Sequence, residues 1–135
     1  MKKEDWQEKR RYARATVQKL VRYRIVHGER PDKVSRTIRG LMTNIGGGGV
    51  LLAVKELVTE GLHISFNENV VQQNWLALEM DLFPGRPPVH AMGKVAWYQK
   101  SMGRPDYQYD VGVEFKDISE EDRNIILDFV KRSIS

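Results

Sequence analysis

The sequence predicts a mainly β domain, a small antiparallel barrel or sandwich with one C-terminal helix. Three observations carry this. Apolar residues recur at every second position in several stretches, as in Val21, Tyr23 and Ile25, which is the period of a half-buried strand. Six or seven such stretches are separated by turn signals rich in Gly, Pro, Asn and Asp. Helical spacing takes over only at the C-terminal end. Strands and helices do not alternate, which argues against a doubly wound nucleotide fold.

Residues 1–9 (MKKEDWQEK) are polar around Trp6, whose ring is expected to pack on the body of the domain. Arg10, Arg11 and Arg14 follow within five residues. Arginine suits bidentate phosphate contacts and stacking on flat rings, so the cluster is a candidate anion site; a solvated charge cluster is the other reading. Residues 16–26 read as a strand, with Arg22 and Arg24 opposite its apolar face. His27 to Asp32 supplies a turn, and residues 35–43 resume an extended pattern up to Asn44. Gly46-Gly47-Gly48-Gly49 comes next, then the continuous apolar run Val50 to Val54.

Glu60-Gly61 marks a break, and His63 to Phe66 alternates. Leu76, Leu78, Met80 and Leu82 line the next apolar face. Pro84 to Pro88 is a rigid loop, because proline cannot feed a central ladder. Val89 to Gln99 is a strand, with Val95 and Trp97 expected on one face and Lys94, Ala96 and Tyr98 on the other. Gly103 and Pro105 mark a turn before the face formed by Tyr107, Tyr109, Val111, Val113 and Phe115. Ser119 fits a helix N-cap, Glu120, Glu121 and Asp122 suit the positive end of the helix dipole, and Lys131 and Arg132 suit its last turn. Ile126, Phe129, Val130 and Ile134 form the apolar stripe of that helix.

Composition narrows the chemistry. The 135 residues fit one domain with a real core. There is no cysteine, so disulfides, thiolate metal sites and cysteine nucleophiles are excluded. No apolar run approaches the roughly 20 residues that cross a bilayer. A soluble, cytoplasmic protein without membrane insertion is expected. His27, His63 and His90 are scattered without metal-ligand spacing, no serine sits in a nucleophile elbow, and the glycine run lacks the Lys and Ser/Thr of a P-loop. Neither catalytic residues nor a metal nor a cofactor is expected, and the protein is read as no enzyme.

The net charge of +4 conceals an asymmetry: residues 1–40 carry 13 Lys and Arg against 5 Asp and Glu, and the remainder 9 against 13. A basic first third suggests an anionic partner met near the N-terminus. The glycine run reads either as a flexible hairpin turn or as a ligand-facing turn that works with the arginines. A nucleic-acid polymer fits less well, because most strand aromatics share the apolar faces.

These residues resemble the PilZ domain, the bacterial receptor module for cyclic di-GMP. Its Arg-x-x-x-Arg signature is matched by Arg10-Arg11-Tyr12-Ala13-Arg14. Its Asp/Asn-x-Ser-x-x-Gly signature is matched at Asn44 and Gly49 of Asn44-Ile45-Gly46-Gly47-Gly48-Gly49. Gly93-Lys94-Val95-Ala96-Trp97, Gly112-Val113-Glu114-Phe115 and Ile118 to Arg123 extend the likeness over roughly residues 9–133. The resemblance implies a six-stranded antiparallel barrel (residues 16–135) with a C-terminal helix, preceded by a flexible arm (residues 1–15). It implies a non-catalytic receptor in which Arg10 and Arg14 bind phosphates and guanines of cyclic di-GMP, Asn44 and Gly49 shape the guanine site, and Arg11 assists. Lys9, just before the arginine motif, occupies a position that influences how many ligand molecules bind. Trp97 falls on a strand beside that site. Ordering of the arm would signal to a protein partner.

Gly46 departs from the family pattern, where a serine stands. Losing one hydrogen bond of that kind costs roughly 1–3 kcal/mol, so weakened binding is expected. The alternative is a degenerate adaptor that binds a protein with weak or no cyclic di-GMP binding.

Overall fold

A computed structural model describes residues 12–68 and 72–134. Trp6, Lys9, Arg10 and Arg11 lie outside the described residues, as does the expected arm before Tyr12. The elements are β1 (Arg14–Val26), β2 (Ile38–Gly46), β3 (Gly49–Val54), β4 (Val58–Thr59), β5 (Leu62–His63), β6 (Trp75–Met80), β7 (Val89–Lys100), β8 (Tyr109–Asp117) and α1 (Glu120–Ile134). Six strands close into an antiparallel barrel in the order β1-β2-β3-β8-β7-β6. Pairing of β1 with β6 completes the ring, so no strand edge of the barrel is left to template association. β4 and β5 form a separate two-stranded ribbon, whose turn places Glu60 and Gly61 at φ 52° and 79°.

Alternation fills the barrel. Val21, Tyr23 and Ile25 of β1, Leu76, Leu78 and Met80 of β6, and Val111 and Val113 of β8 are all buried. Helix α1 starts as its sequence dictates: the Ser119 hydroxyl accepts from the Asp122 amide at 3.0 Å. Its Ile126, Phe129 and Val130 are buried, and Phe129 meets Phe83 edge to face with ring centres 5.6 Å apart. A second tie runs from the His90 amide of β7 to the Asp122 carboxylate at 3.2 Å.

Two expectations from periodicity are corrected. The alternating stretch from His63 to Phe66 is not a strand beyond His63. The His63 ring nitrogen Nδ1 accepts from the amides of Ser65 and Phe66 at 3.0 and 3.1 Å, which takes those donors out of a ladder. Val95 and Trp97 do not share a face. Val95 pairs with Val113 and Trp97 with Gly112, leaving Ala96 as an extra residue. This β-bulge reverses the parity of β7, so Trp97 faces outward and Tyr98 packs against the core.

A second bulge sits at Thr43. Met42 pairs with Leu52 and Asn44 with Leu51, so Thr43 is unopposed in that pairing. Without it Asn44 would share the inward face of Met42. With it Ile45 enters the core and Asn44 turns to the outer wall.

Candidate functional site

Strand register assembles the site on the outside of the barrel. One row runs across β1, β2, β3, β8 and β7 as Thr16, Asn44, Leu51, Gly112 and Trp97. A neighbouring row on the same face runs Arg14, Gly46, Gly49, Glu114 and Lys94. Between them Ala15, Ile45, Val50, Val113 and Val95 point inward and are buried. Five sequence-predicted residues are therefore gathered on one face: Arg14, Asn44, Gly46, Gly49 and Trp97. Strands lie about 4.8 Å apart, so Asn44 and Trp97, three strands apart, are about 14 Å from one another around the wall.

The Trp97 indole is half-buried and lies over Gly112, where any side chain would run into its ring. Asn44 is half-buried as well, and its amide oxygen Oδ1 is enclosed without a hydrogen-bond partner among the described residues. An enclosed acceptor of this kind costs about 1–3 kcal/mol until a donor reaches it.

The glycine run is the junction of the site. None of its four residues has the positive φ that favours glycine. What they share is close approach. A Cβ on Gly46 would stand 2.8 Å from the Ala13 carbonyl oxygen and 3.0 Å from Arg14 Cγ. On Gly47 it would stand 2.8 Å from the Tyr12 ring and from Leu127 Cδ2. On Gly49 it would collide with the Val113 carbonyl of β8. The chain entering β1, the helix and β8 thus all rest on the turn. Gly48 and Gly47 also give their carbonyls: the first accepts from the Phe115 amide at 3.0 Å, the second from Arg123 Nε at 3.1 Å.

At position 46, where the resemblance leads one to expect a serine, the backbone of Ala13 and the stem of Arg14 lie directly against the glycine. A serine side chain would need that backbone to move.

Charge on the face is mixed. Glu114 pairs with Lys116 at 3.1 Å, and the Lys94 ammonium sits 4.4 Å from the centre of the Trp75 ring. Beside them Gln73, Lys94, Ala96, Glu114 and Lys116 line a shallow cleft of about 260 Å³.

Sequence reading missed Tyr12, Arg123 and Leu127 as members of this junction. A signal for Arg123 existed. It is a cation at the end of a first helical turn, where the helix dipole favours anions, so its position is not explained by the helix itself.

The PilZ domain family profile matches residues 8–132. No curated protein sequence matches the chain significantly. Among solved structures, the PilZ domain of YcgR from Escherichia coli, determined with c-di-GMP, aligns with TM-score 0.60 and 11% identity over 93% of this chain and 92% of that one. The Bacillus subtilis inhibitor of motility MotI/DgrA aligns with TM-score 0.59 and 20% identity over 92% of this chain. The chain spans about half the length of MotI, 50% of which is covered. At these identities the two structures establish the shared fold. With the family signature spanning nearly all of its length on a closed six-stranded barrel capped by a helix, this chain belongs to the PilZ domain family.

Proposed function

We propose that the protein is a non-catalytic receptor for the second messenger cyclic di-GMP, working in the bacterial cytoplasm. The segment expected as the arm, residues 1–15, grips the ligand, with its last two residues, Arg14 and Ala15, already paired in β1, and residues 16–135 serve as the platform. The ligand binds without a metal or cofactor, and the seated arm presents a changed surface to a protein partner. No nucleic-acid polymer and no membrane insertion is involved; among the described residues no helix is long and apolar enough to cross a membrane.

The observation that carries the reading is the convergence of Arg14, Asn44, Gly46, Gly49 and Trp97 on adjoining rows of one outer face, with an enclosed Asn44 acceptor waiting for a donor. Arg14 and Arg10 would take phosphate oxygens in forked, charge-assisted hydrogen bonds and stack on guanine faces. Asn44 would accept from a guanine N–H. Arg11 assists, and Trp97 offers a flat apolar wall. The YcgR PilZ domain, solved with c-di-GMP, supports the ligand class.

Isothermal titration with cyclic di-GMP tests this. Wild type should give saturable heat with Kd of roughly micromolar or tighter. Arg10→Ala and Arg14→Ala should each weaken it by about tenfold or more, as expected for a charge-assisted contact. No heat from folded wild type at high micromolar ligand would sink the receptor reading and leave the adaptor.

A further inference from the structure

We infer that Tyr12 and Arg123 form a latch that seats the arginine arm on the glycine turn, with Arg123 a positioning residue for the nucleotide site; this rests on the receptor reading above. Tyr12 lies between the paired arginines of the motif. Its ring covers Gly47 and Gly48, near enough that a Cβ on Gly47 would be 2.8 Å from ring atoms Cγ and Cδ1. Arg123 approaches from the helix. Its guanidinium carbon is 5.7 Å from the centre of the Tyr12 ring, and its Nε donates to the Gly47 carbonyl at 3.1 Å. Leu127, one turn further along α1, fills the remaining side of Gly47.

Three elements meet here: the entry to β1, the β2–β3 turn and the first turns of α1. The bare backbone of the turn gives Tyr12 a flat seat, and the cation holds the ring against it. Two residues on, Arg14 enters the sheet opposite Gly46. A seated Tyr12 therefore fixes the chain just before Arg14. Fixing that stretch before the ligand arrives lowers the ordering cost of binding, which is how preorganisation raises affinity. Arg123 gains nothing from the helix dipole in return, so the latch accounts for its placement.

The test uses the full chain without ligand first. Limited trypsin digestion reports exposure at Arg10, Arg11 and Arg14, with Lys33 in the β1–β2 loop as internal control. Arg123→Ala and Tyr12→Ala should each speed cleavage in the arm by about threefold or more, a cation–π-sized effect, while cleavage at Lys33 stays unchanged. The double variant should go no further than the stronger single one, because both break one contact. Tyr12→Phe keeps the ring and should behave as wild type. Titration with cyclic di-GMP should then show Kd raised about three- to tenfold in Arg123→Ala, with the variant still folded at the titration temperature.

Unchanged arm cleavage in both alanine variants, or additive effects in the double variant, would overturn the latch. Equal Kd for wild type and Arg123→Ala would overturn the positioning role while the receptor reading stands. Absence of heat from wild type would overturn the receptor reading, and with it the latch's role at a nucleotide site, even where the cleavage pattern supports the contact.

Discussion

Gly48 and Gly49 are chemically identical neighbours with different obligations. A Cβ on Gly48 would make an ordinary contact, 3.5 Å from the Tyr12 ring, whereas one on Gly49 would strike the Val113 carbonyl. Side chains give way cheaply and backbone does not. Gly49→Ala should therefore cost about 2–3 kcal/mol, as overpacking against a fixed wall does. Gly48→Ala should fall within about 1 kcal/mol of wild type, helped by the lower entropy of the unfolded chain. Urea midpoints of the two variants measure the difference; equal values would contradict the close-approach account. The sequence marked the run as exceptional but offered ligand approach or slack as reasons. The actual neighbours, Ala13, Tyr12, Leu127 and Val113, are mostly remote in sequence and cannot be read from spacing.

At the scale of elements, periodicity located the strands and lost their faces at two residues. Thr43 and Ala96 are bulges, and each turns the residue after it, Asn44 or Trp97, to the outer wall. Composition gives no sign of them, because the extra residue is defined by the opposing strand. Helix α1 was legible in full where chemistry is local: its cap is made by Ser119. Ser119→Ala should lower stability by about 1 kcal/mol, read from thermal or urea unfolding.

The β4–β5 ribbon carries a pH signature. Burial holds the His63 pKa below the usual imidazole value, and its Nδ1 accepts two amides. Because the folded value is depressed, the unfolded chain binds the proton more readily. The contribution to stability is whole above the unfolded pKa of about 6.5 and is lost as pH falls through the folded value. An NMR titration of the His63 ring should give a midpoint below about 6.5, with the Phe66 and Tyr98 signals shifting as the proton goes on; the two rings lie 5.0 and 5.7 Å from it. A midpoint at or above the free imidazole value would contradict the packing.

For the whole molecule, closure of six strands brings the ends of β1 and β2 and the middles of β3, β8 and β7 onto one wall. That is why Arg14 and Asn44, thirty residues apart in the chain, lie on one surface. The fold class followed from alternation, turn signals and the late switch to helical spacing, all local. The candidate site was legible only as a set of residue types, because register and bulges decide which face each one takes. Tyr12 and Arg123 escaped, since their meeting depends on how the helix lies over the turn.

The most direct test is a titration of isotope-labelled protein with cyclic di-GMP, followed by amide, Asn side-chain and Trp indole NMR signals. Saturable shifts should gather at Arg14, Asn44, Gly46, Gly49 and the Trp97 indole, with the opposite wall around Arg24 and Ala77 unmoved. Shifts centred on that opposite wall, or none at high micromolar ligand, would contradict the receptor reading.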